Sequence, residues 1–452
     1  MYKDKKIFVL GMARSGYEVA KLLVNEAKEI VVVDETPDDD HALELANLGV
    51  KVITSDRSEQ ANYLDDSFDL VVKNPGVLLT VPTIIKAEDL NIPVTNEVDV
   101  AFNMLPSDIK IVAITGANGK TTTTTLIYEI LKQAKSPAIL GGNIGIPISK
   151  LVSEVKAGDI LVLEISIQQL TNMKDFKSNI SVLTNLSPSH LDHVGTYENY
   201  QDYKKRIFNH HTSEDVAIIN AGDENVLKIC SNIPSRKISF SATVAADLYM
   251  KDDAIYYENE EIIKLVDIKL VGEHNYENIM SAIAAAKEFG VSNADINAVL
   301  GTFTGVKHRI DFVDEINGVK FYNDSKATNN VATITALKSF DKDLILILGG
   351  LDRGQTFDEL TPYMNAVKKV VCYGETKQKI AEYVEKIDTQ CQVFENLTEA
   401  TKAAFSDSIA GDTILLSPAC ASWDQYKNFE IRGDEFIDIV GHIKQQNDLT
   451  KE

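Results

Sequence analysis

The sequence predicts an α/β protein made of three strand-and-helix units with mostly parallel sheets. Short apolar runs alternate with stretches of helical periodicity, which is the pattern of βαβ connections. The 452 residues exceed what one hydrophobic core supports, and at about 150 residues per domain they suggest about three domains. Glycine-rich turns follow a strand and open a helix at two places, "GMARSG" (11–16) and "TGANGKT" (115–121).

The first unit, residues 1–100, reads as strand "KIFVL", glycine loop "GMARSG", helix "YEVAKLLVNEA" and strand "EIVVVDE", and continues through "DLVVKNPG" and "IPVTNEVDVAF". The second, residues 101–306, opens after Pro106 with "DIKIVAITG". It holds the strands "DILVLEIS", "NISVLTN" and "DVAIIN", a hairpin-like stretch near 237–271, and the helix "NYENIMSAIAAAKEFG", closed by Gly290. The third, residues 307–452, runs from "KHRIDFV" through "LILILGG", "VVCYGE" and "DTILLSPA". The boundaries fall near 100 and 306.

Composition excludes several classes. No apolar run approaches the ~18 residues a membrane helix needs. The start "MYKDKKIFVLGMARSG" superficially mimics a signal peptide, but Arg14, Gly11 and Gly16 interrupt its apolar run, so it reads as a first strand. A net charge of -22, with no stripe of Lys and Arg among aromatics, disfavours nucleic acid as a partner. Cys230, Cys372, Cys391 and Cys420 are scattered and form no C-x-x-C pair, so the expected compartment is the reducing cytoplasm. Small anionic ligands remain compatible with the charge, because loops and helix N-termini bind phosphate locally.

The stretch "TGANGKTTTTT" (115–125) raises a question, since β-branched residues are poor openers of a helix. An apolar strand, Gly116, Gly119, Lys120, Thr121 and then a helix form the order of a phosphate-binding loop. Glycines turn backbone N–H groups toward phosphate, the helix end adds positive potential, and the lysine reaches the β and γ oxygens. Thr121 and Thr122 stand where hydroxyls serve Mg²⁺ and phosphate, whereas Thr123, Thr124 and Thr125 are expected to pack on the sheet. The spacing G-x-x-G-K-T is shorter than G-x-x-x-x-G-K-[ST], because Ile114 replaces the first glycine. This loop therefore differs from those of motor proteins and switch GTPases.

"TGANGKTT" resembles the nucleotide loop of the Mur ligases, the ATP-dependent amide-forming enzymes of peptidoglycan precursor synthesis. Further matches follow in the same order: "GGNIG" (141–145), "LEIS" (163–166), "SPSHLDH" (187–193), "YKKRIF" (203–208), "GEHNYEN" (272–278), "HR" (308–309) and "NDSKATN" (323–329). "SPACASWDQYKNFEIRGDEF" (417–436) is similar to the members that add D-glutamate. The resemblance implies a Rossmann-like UDP-binding first unit, a central P-loop ATPase-like unit and a Rossmann-like amino-acid-binding third unit. It also implies the substrates ATP, UDP-N-acetylmuramoyl-L-alanine and D-glutamate, two Mg²⁺ ions and an acyl-phosphate intermediate; the oligomeric state is not encoded in these motifs, and a monomer is the expectation.

Residue by residue, the resemblance assigns ATP phosphates to Gly116, Ala117, Asn118, Gly119, Lys120, Thr121 and Thr122. Glu164, at the end of its strand, reads as a Mg²⁺ ligand beside Thr121 or as a solvated strand-end carboxylate. His190, by resemblance, holds a second Mg²⁺, while His193 has no assigned role. On spacing alone "YKKRIF" is a basic patch on a helix; by resemblance Lys204 is carbamoylated, replacing an ammonium that would repel the metal. The resemblance also sets the choice of Lys204 over Lys205, since Tyr200 four residues before and Phe208 four after match the family's pattern around that lysine. Asn275 and Asn278 can share one helix face near adenine, or form an N-cap pair. Arg309 and Asp324 are expected at ATP phosphate and ribose, and Lys326, Thr328, Ser422 and Phe429 at the two carboxylates of D-glutamate. For the UDP substrate the candidates are Arg14, Ser15, Asp34, Asn143 and Gln169. In G-x-A-x-x-G, Ala13 stands where a dinucleotide fold has its second glycine, so an NAD-dependent oxidoreductase is the weaker reading. A folylpolyglutamate synthase would lack the separate first unit, and a regulatory NTPase would hydrolyse ATP without an amino acid.

Overall fold

The computed structural model describes residues 1–449 other than 189, 190, 271 and 274. Two compact units form: Met1–Ile268 with His274–Thr302, and Lys269–Glu273 with Phe303–Glu452. The first unit contains two sheets and the second unit one.

The first sheet comprises β1 (Lys6–Leu10), β2 (Glu29–Asp34), β3 (Lys51–Thr54), β4 (Leu70–Lys73) and β5 (Val94–Asn96), in the order β3-β2-β1-β4-β5 with every pair parallel. The apolar runs read from the sequence are buried along nearly their whole length, as in a sheet covered on both faces. Strand order reverses between β1 and β4, which opens a crevice at the C-terminal end of β1. There "GMARSG" turns into the helix Arg14–Leu23, so Arg14 and Ser15 occupy its first turn. The stretch "IPVTNEVDVAF" is not one strand. Asn96 ends β5 and caps a helix, Glu97–Phe102, by accepting from the N–H groups of Val98 (3.0 Å) and Asp99 (3.4 Å).

The second sheet holds β6 (Lys110–Thr115), β7 (Ala138–Gly142), β8 (Ile160–Glu164), β9 (Ile180–Leu183), β10 (Val216–Asn220), β11 (Arg236–Ser241), β12 (Leu248–Lys251), β13 (Ala254–Tyr257) and β14 (Glu260–Lys264). Its order is β14-β13-β12-β11-β10-β9-β6-β8-β7, parallel from β7 through β12 and antiparallel beyond. The expected hairpins are present. Their tight turns place two residues each at positive φ, Asp252 and Asp253 (49° and 57°) and Glu258 and Asn259 (48° and 70°), matching the twist of the strands they join.

In the central register Ile114 pairs with Glu164 and Thr115 with Leu183, which aligns the C-terminal ends of β6, β8 and β9. From β6 the glycine loop leads into the helix Lys120–Gln133, which packs against the helix Asn275–Lys287. The later threonines are only partly as expected. Thr123 faces that neighbouring helix, not the sheet, with its hydroxyl 3.4 Å from both Asn278 Oδ1 and Ser281 Oγ. Thr124 returns its hydroxyl to Lys120 O at 2.7 Å, and Thr125 Oγ1 is buried without a partner.

The second unit is built on β15 (Asp311–Ile316), β16 (Val319–Asn323), β17 (Leu344–Gly349), β18 (Val367–Tyr373), β19 (Gln390–Val393) and β20 (Thr413–Leu416). The order is β15-β16-β20-β17-β18-β19, with β15 and β16 an antiparallel hairpin and all other pairs parallel. Among the described residues no helix is long and apolar enough to cross a membrane.

Candidate active site

The loop after β6 depends on two glycines. Gly116 (φ 149°) would place a Cβ 2.0 Å from Thr184 Oγ1, and Gly119 (φ 80°) would place one 2.0 Å from Asn278 Oδ1. Asn278 thus lies directly against the loop, and its Nδ2 donates to Asn275 Oδ1 (2.9 Å), so the two side chains do share one helix face. The Ala117 and Asn118 N–H groups donate to Asn185 O (2.9 Å) and Asn185 Oδ1 (2.9 Å), while Thr184 Oγ1 donates to Asn118 O (2.6 Å). Lys120 folds back over the loop, its Nζ donating to Gly116 O (3.0 Å) and Ala117 O (2.8 Å).

Glu164, buried at the end of β8, joins two parts of the site. Thr121 Oγ1 donates to Oε2 at 2.6 Å, and Asn143 Nδ2 donates to Oε1 at 2.5 Å. Among the described residues no group of three or more His, Cys, Asp or Glu side chains could hold a metal by itself. The donor set of one carboxylate and one hydroxyl fits Mg²⁺, which prefers hard oxygen ligands and takes the remainder from water and substrate phosphate. The predicted His190 lies outside the described residues. Thr122 is buried in the first helical turn beside Thr121.

Lys204 is buried to 1% exposure, whereas Lys205 is half-buried. The Lys204 ammonium donates to Thr115 Oγ1 and to Gly116 O, each at 2.9 Å, and lies 5.5 Å from the centre of the Tyr200 ring. Burial, reinforced by the Lys120 charge and opposed by Glu164, holds its pKa well below the usual lysine value. A lowered pKa makes the neutral, nucleophilic form of the amine easier to reach.

A cleft of about 140 Å³ opens beside this site, lined by Arg14, Ser15, Asn74, Asn143, Pro147 and Gln169 among others. Four residues predicted for the UDP substrate therefore meet. Asp34 has a different position: its carboxylate accepts from the N–H groups of Met12 (2.6 Å) and Thr36 (2.8 Å), bracing the glycine loop from β2. Gln169 uses its carboxamide oxygen in a capping box, accepting from Ser166 N at 2.8 Å.

In the second unit, Asp324 is buried at the end of β16, accepting from Ser417 Oγ (2.7 Å) and from Ile310 N (3.3 Å). Burial pushes its carboxyl up to about 7, against the Ser417 hydrogen bond and the Arg309 charge. Arg309 Nε is buried without a hydrogen-bond partner. Lys326 Nζ sits 5.7 Å from the centre of the Phe429 ring. Thr328 is half-buried on the same loop, and Ser422 is buried after β20. The fully buried Arg432 ties the two loops together, donating to Ser325 Oγ (2.9 Å), Ser325 O (2.7 Å) and Cys420 O (3.0 Å).

Sequence reasoning passed over Thr184, Asn185 and Asn74, which sit just past the C-terminal ends of β9 and β4, next to the two glycine loops. Their strand-end position was the available signal. Arg432 gave none, since it lies on a helix turn with ordinary spacing.

The Mur ligase middle domain family matches residues 114–286, and the Mur ligase glutamate ligase domain family matches residues 308–420. Over 449 residues the chain is 46% identical to the UDP-N-acetylmuramoylalanine--D-glutamate ligase of Geobacillus sp. (strain WCH70), covering 98% of this chain and 99% of that one. The chain belongs to the Mur ligase family. The ligase of the same name from Bacillus mycoides (strain KBAB4) is 42% identical to this Mur ligase over 444 residues, covering 97% and 98% of the two chains. Two solved structures share the fold: MurF from Acinetobacter baumannii (TM-score 0.61, 16% identity, 94% of this chain and 93% of that one) and the UDP-N-acetylmuramate-alanine ligase MurC from Thermotoga maritima (TM-score 0.59, 18% identity, 97% and 100%).

Proposed function

We infer that this Mur ligase joins D-glutamate to the L-alanyl carboxylate of UDP-N-acetylmuramoyl-L-alanine, converting ATP to ADP and phosphate. The reading rests above all on the Glu164 carboxylate, hydrogen-bonded on one side by Thr121 of the phosphate loop and on the other by Asn143 of the neighbouring cleft. A γ-phosphate at the loop and a carboxylate in the cleft would meet at that group.

Mur ligases use ATP and Mg²⁺. In our assignment the loop residues from Gly116 to Thr122, the Lys120 ammonium among them, bind the β and γ phosphates, and Asn275 and Asn278 sit toward the adenine. Thr121 and Glu164 would hold Mg²⁺, which neutralises phosphate charge during transfer. In its uncharged form, which burial favours, the Lys204 amine suits addition to CO₂: an N–C bond forms, a proton leaves to solvent, and a carbamate anion replaces the amine. That anion, with His190, would hold a second Mg²⁺. The substrate carboxylate oxygen then attacks the γ-phosphorus and ADP departs, leaving an acyl phosphate. The D-glutamate amine attacks its carbonyl, loses a proton and expels phosphate.

Arg14, Ser15, Asn143 and Gln169 are assigned to the UDP-sugar substrate, with Asp34 acting through the loop it braces. Arg309 and Asp324 are assigned to ATP, and Lys326, Thr328, Ser422 and Phe429 to D-glutamate, whose two carboxylates need a cation and hydrogen-bond donors. Residues 1–100, 101–306 and 307–452 accordingly serve UDP-substrate, ATP and amino acid, in a monomeric cytoplasmic enzyme. Phosphate release is expected only when ATP, Mg²⁺, UDP-N-acetylmuramoyl-L-alanine and D-glutamate are all present. Equal turnover with L-glutamate or a folate would reject the assignment.

A further inference from the structure

The segment "TNEVD" (95–99) lies outside every site described above, yet three of its polar side chains are buried to 1% exposure or less: Asn96 at 0%, Glu97 at 1% and Asp99 at 1%. Each bonds to a different segment of the same compact unit. Asn96 Nδ2 donates to Gln169 O at 2.5 Å, while its Oδ1 caps the helix Glu97–Phe102. Glu97 Oε1 accepts from Ser149 N at 2.5 Å, in the first turn of the helix Ile148–Leu151. Asp99 accepts from the N–H groups of Lys174 (2.6 Å), Asp175 (3.1 Å) and Phe176 (3.0 Å) and from Thr95 Oγ1 (3.0 Å).

Apolar packing already joins these elements, since Val98 and Ala101 lie in one core cluster with Ile111, Ile148 and Leu151. Burying three polar groups adds a desolvation cost that an apolar contact would avoid. Glu97 Oε2 illustrates that cost, being buried with no partner. What hydrogen bonds add is location, because they fix backbone atoms to within tenths of an ångström where apolar contacts slide. Two of the pinned segments lead into the cleft lining. Gln169 lines it directly, and Ser149 follows Asn143 and Pro147, which line it as well.

We propose that Asn96, Glu97 and Asp99 are positioning residues that hold Gln169 and the segment after Asn143 and Pro147 in place relative to each other in the cleft lining, and so tune affinity for the UDP-sugar substrate. This rests on the assignment of that cleft to UDP-N-acetylmuramoyl-L-alanine. None of the three lines the cleft; they act through the backbone they hold.

Asn96→Ser is the sharpest variant. Serine is an equally good N-cap, so the helix keeps its start, but its side chain is too short to reach Gln169 O. KM for UDP-N-acetylmuramoyl-L-alanine is expected to rise about fivefold to tenfold, the size of one misplaced contact. kcat and KM for ATP should stay within about twofold, as expected if the phosphate loop is not touched. Asn96→Asp keeps the cap oxygen, removes the donor and should give the same split. A merely structural role would lower the melting temperature and active fraction without moving KM, and a KM unchanged in both variants overturns the proposal. If neither variant folds, hydrogen exchange in the wild type decides. Binding the UDP-sugar should slow exchange at Ser149 together with Asp175 and Phe176, and unaltered exchange there overturns it. Calorimetry of the wild type with the same substrate separates the two claims, since absent binding rejects the cleft assignment itself.

Discussion

Lys204 carries the most specific part of the proposed chemistry on one atom. Its Nζ touches Thr115 Oγ1 and Gly116 O, both on the turn that leads into the phosphate loop, so removing it alters the loop's support as well as any carbamate. Lys204→Ala should lose activity by at least about 100-fold, in line with losses at groups that hold or support metals. Acetate or formate at millimolar concentration should restore part of it by supplying an anion in the vacated space. Failure of rescue in a variant of normal thermal stability would remove the carbamate from the mechanism. At this scale the sequence was most legible where chemistry forces a residue type at a fixed step from a turn. Thr121 and Glu164 meet as expected, and the register argument that favours Lys204 over Lys205 agrees with their burial. Residues that act by filling or bracing were harder to see. Thr184 matters because Gly116 lies against it, and Asp34 because it accepts from Met12 N; no spacing rule announces either contact.

The threonine run belongs to the scale of the element. In the helix Lys120–Gln133, Thr121 serves Glu164, Thr123 faces Asn278 and Ser281, and Thr124 bonds back to Lys120 O, so each of these hydroxyls has a partner. Thr125 does not, for its Oγ1 is buried and unpartnered. Replacing a buried, unsatisfied hydroxyl with a methyl of the same shape removes a desolvation cost and retains the packing. Thr125→Val is therefore expected to be neutral or to stabilise by up to about 1 kcal/mol, with ATP turnover unchanged. Thr123→Val, which strips a partnered hydroxyl, should destabilise under the same urea titration, and the opposite ranking would show that the roles are misassigned. Element types were legible where apolar runs are long, as in β6, β8, β10 and β17. The short strands β3 and β19 at sheet edges escaped notice, because "KVIT" and "QCQV" are exposed at both ends and only half-buried between them. The helix Glu97–Phe102 was missed for the opposite reason. "VTNEVDVAF" alternates like a strand, and its start is set by one capping side chain, Asn96.

Across the whole molecule, three sheets and their mostly parallel order followed from repeated strand–helix alternation, which depends only on which stretches can bury an apolar face. Buried polar clusters do not follow from that pattern, and His211 is the clearest case. At 6% exposure, its Nε2 lies 3.0 Å from Ser178 Oγ and 3.1 Å from Ser181 Oγ, and its Nδ1 lies 2.7 Å from Ser235 Oγ. Burial pushes the imidazole down to about 4, although Asp215, itself paired with Lys177 at 3.1 Å, pulls upward. The folded protein thus resists a proton that the unfolded chain accepts near the ordinary 6.5. Between those two values the unfolded state binds more protons, so stability falls as pH drops below about 6.5 and is unaffected above it. From pH 7.5 to 5.5 this one group should cost about 1.4 kcal/mol, a range that stays clear of the acidity needed to neutralise a net charge of -22. His211→Asn isolates the contribution, because every other titrating group is common to both proteins. Urea titrations at the two pH values should show the gap between wild type and variant narrowing by that amount on acidification. A gap that stays constant would mean the ring takes up a proton as readily in the folded state as in the unfolded one, and a gap that widens would mean it is already protonated at neutral pH, with the serine hydroxyls turned to accept from it.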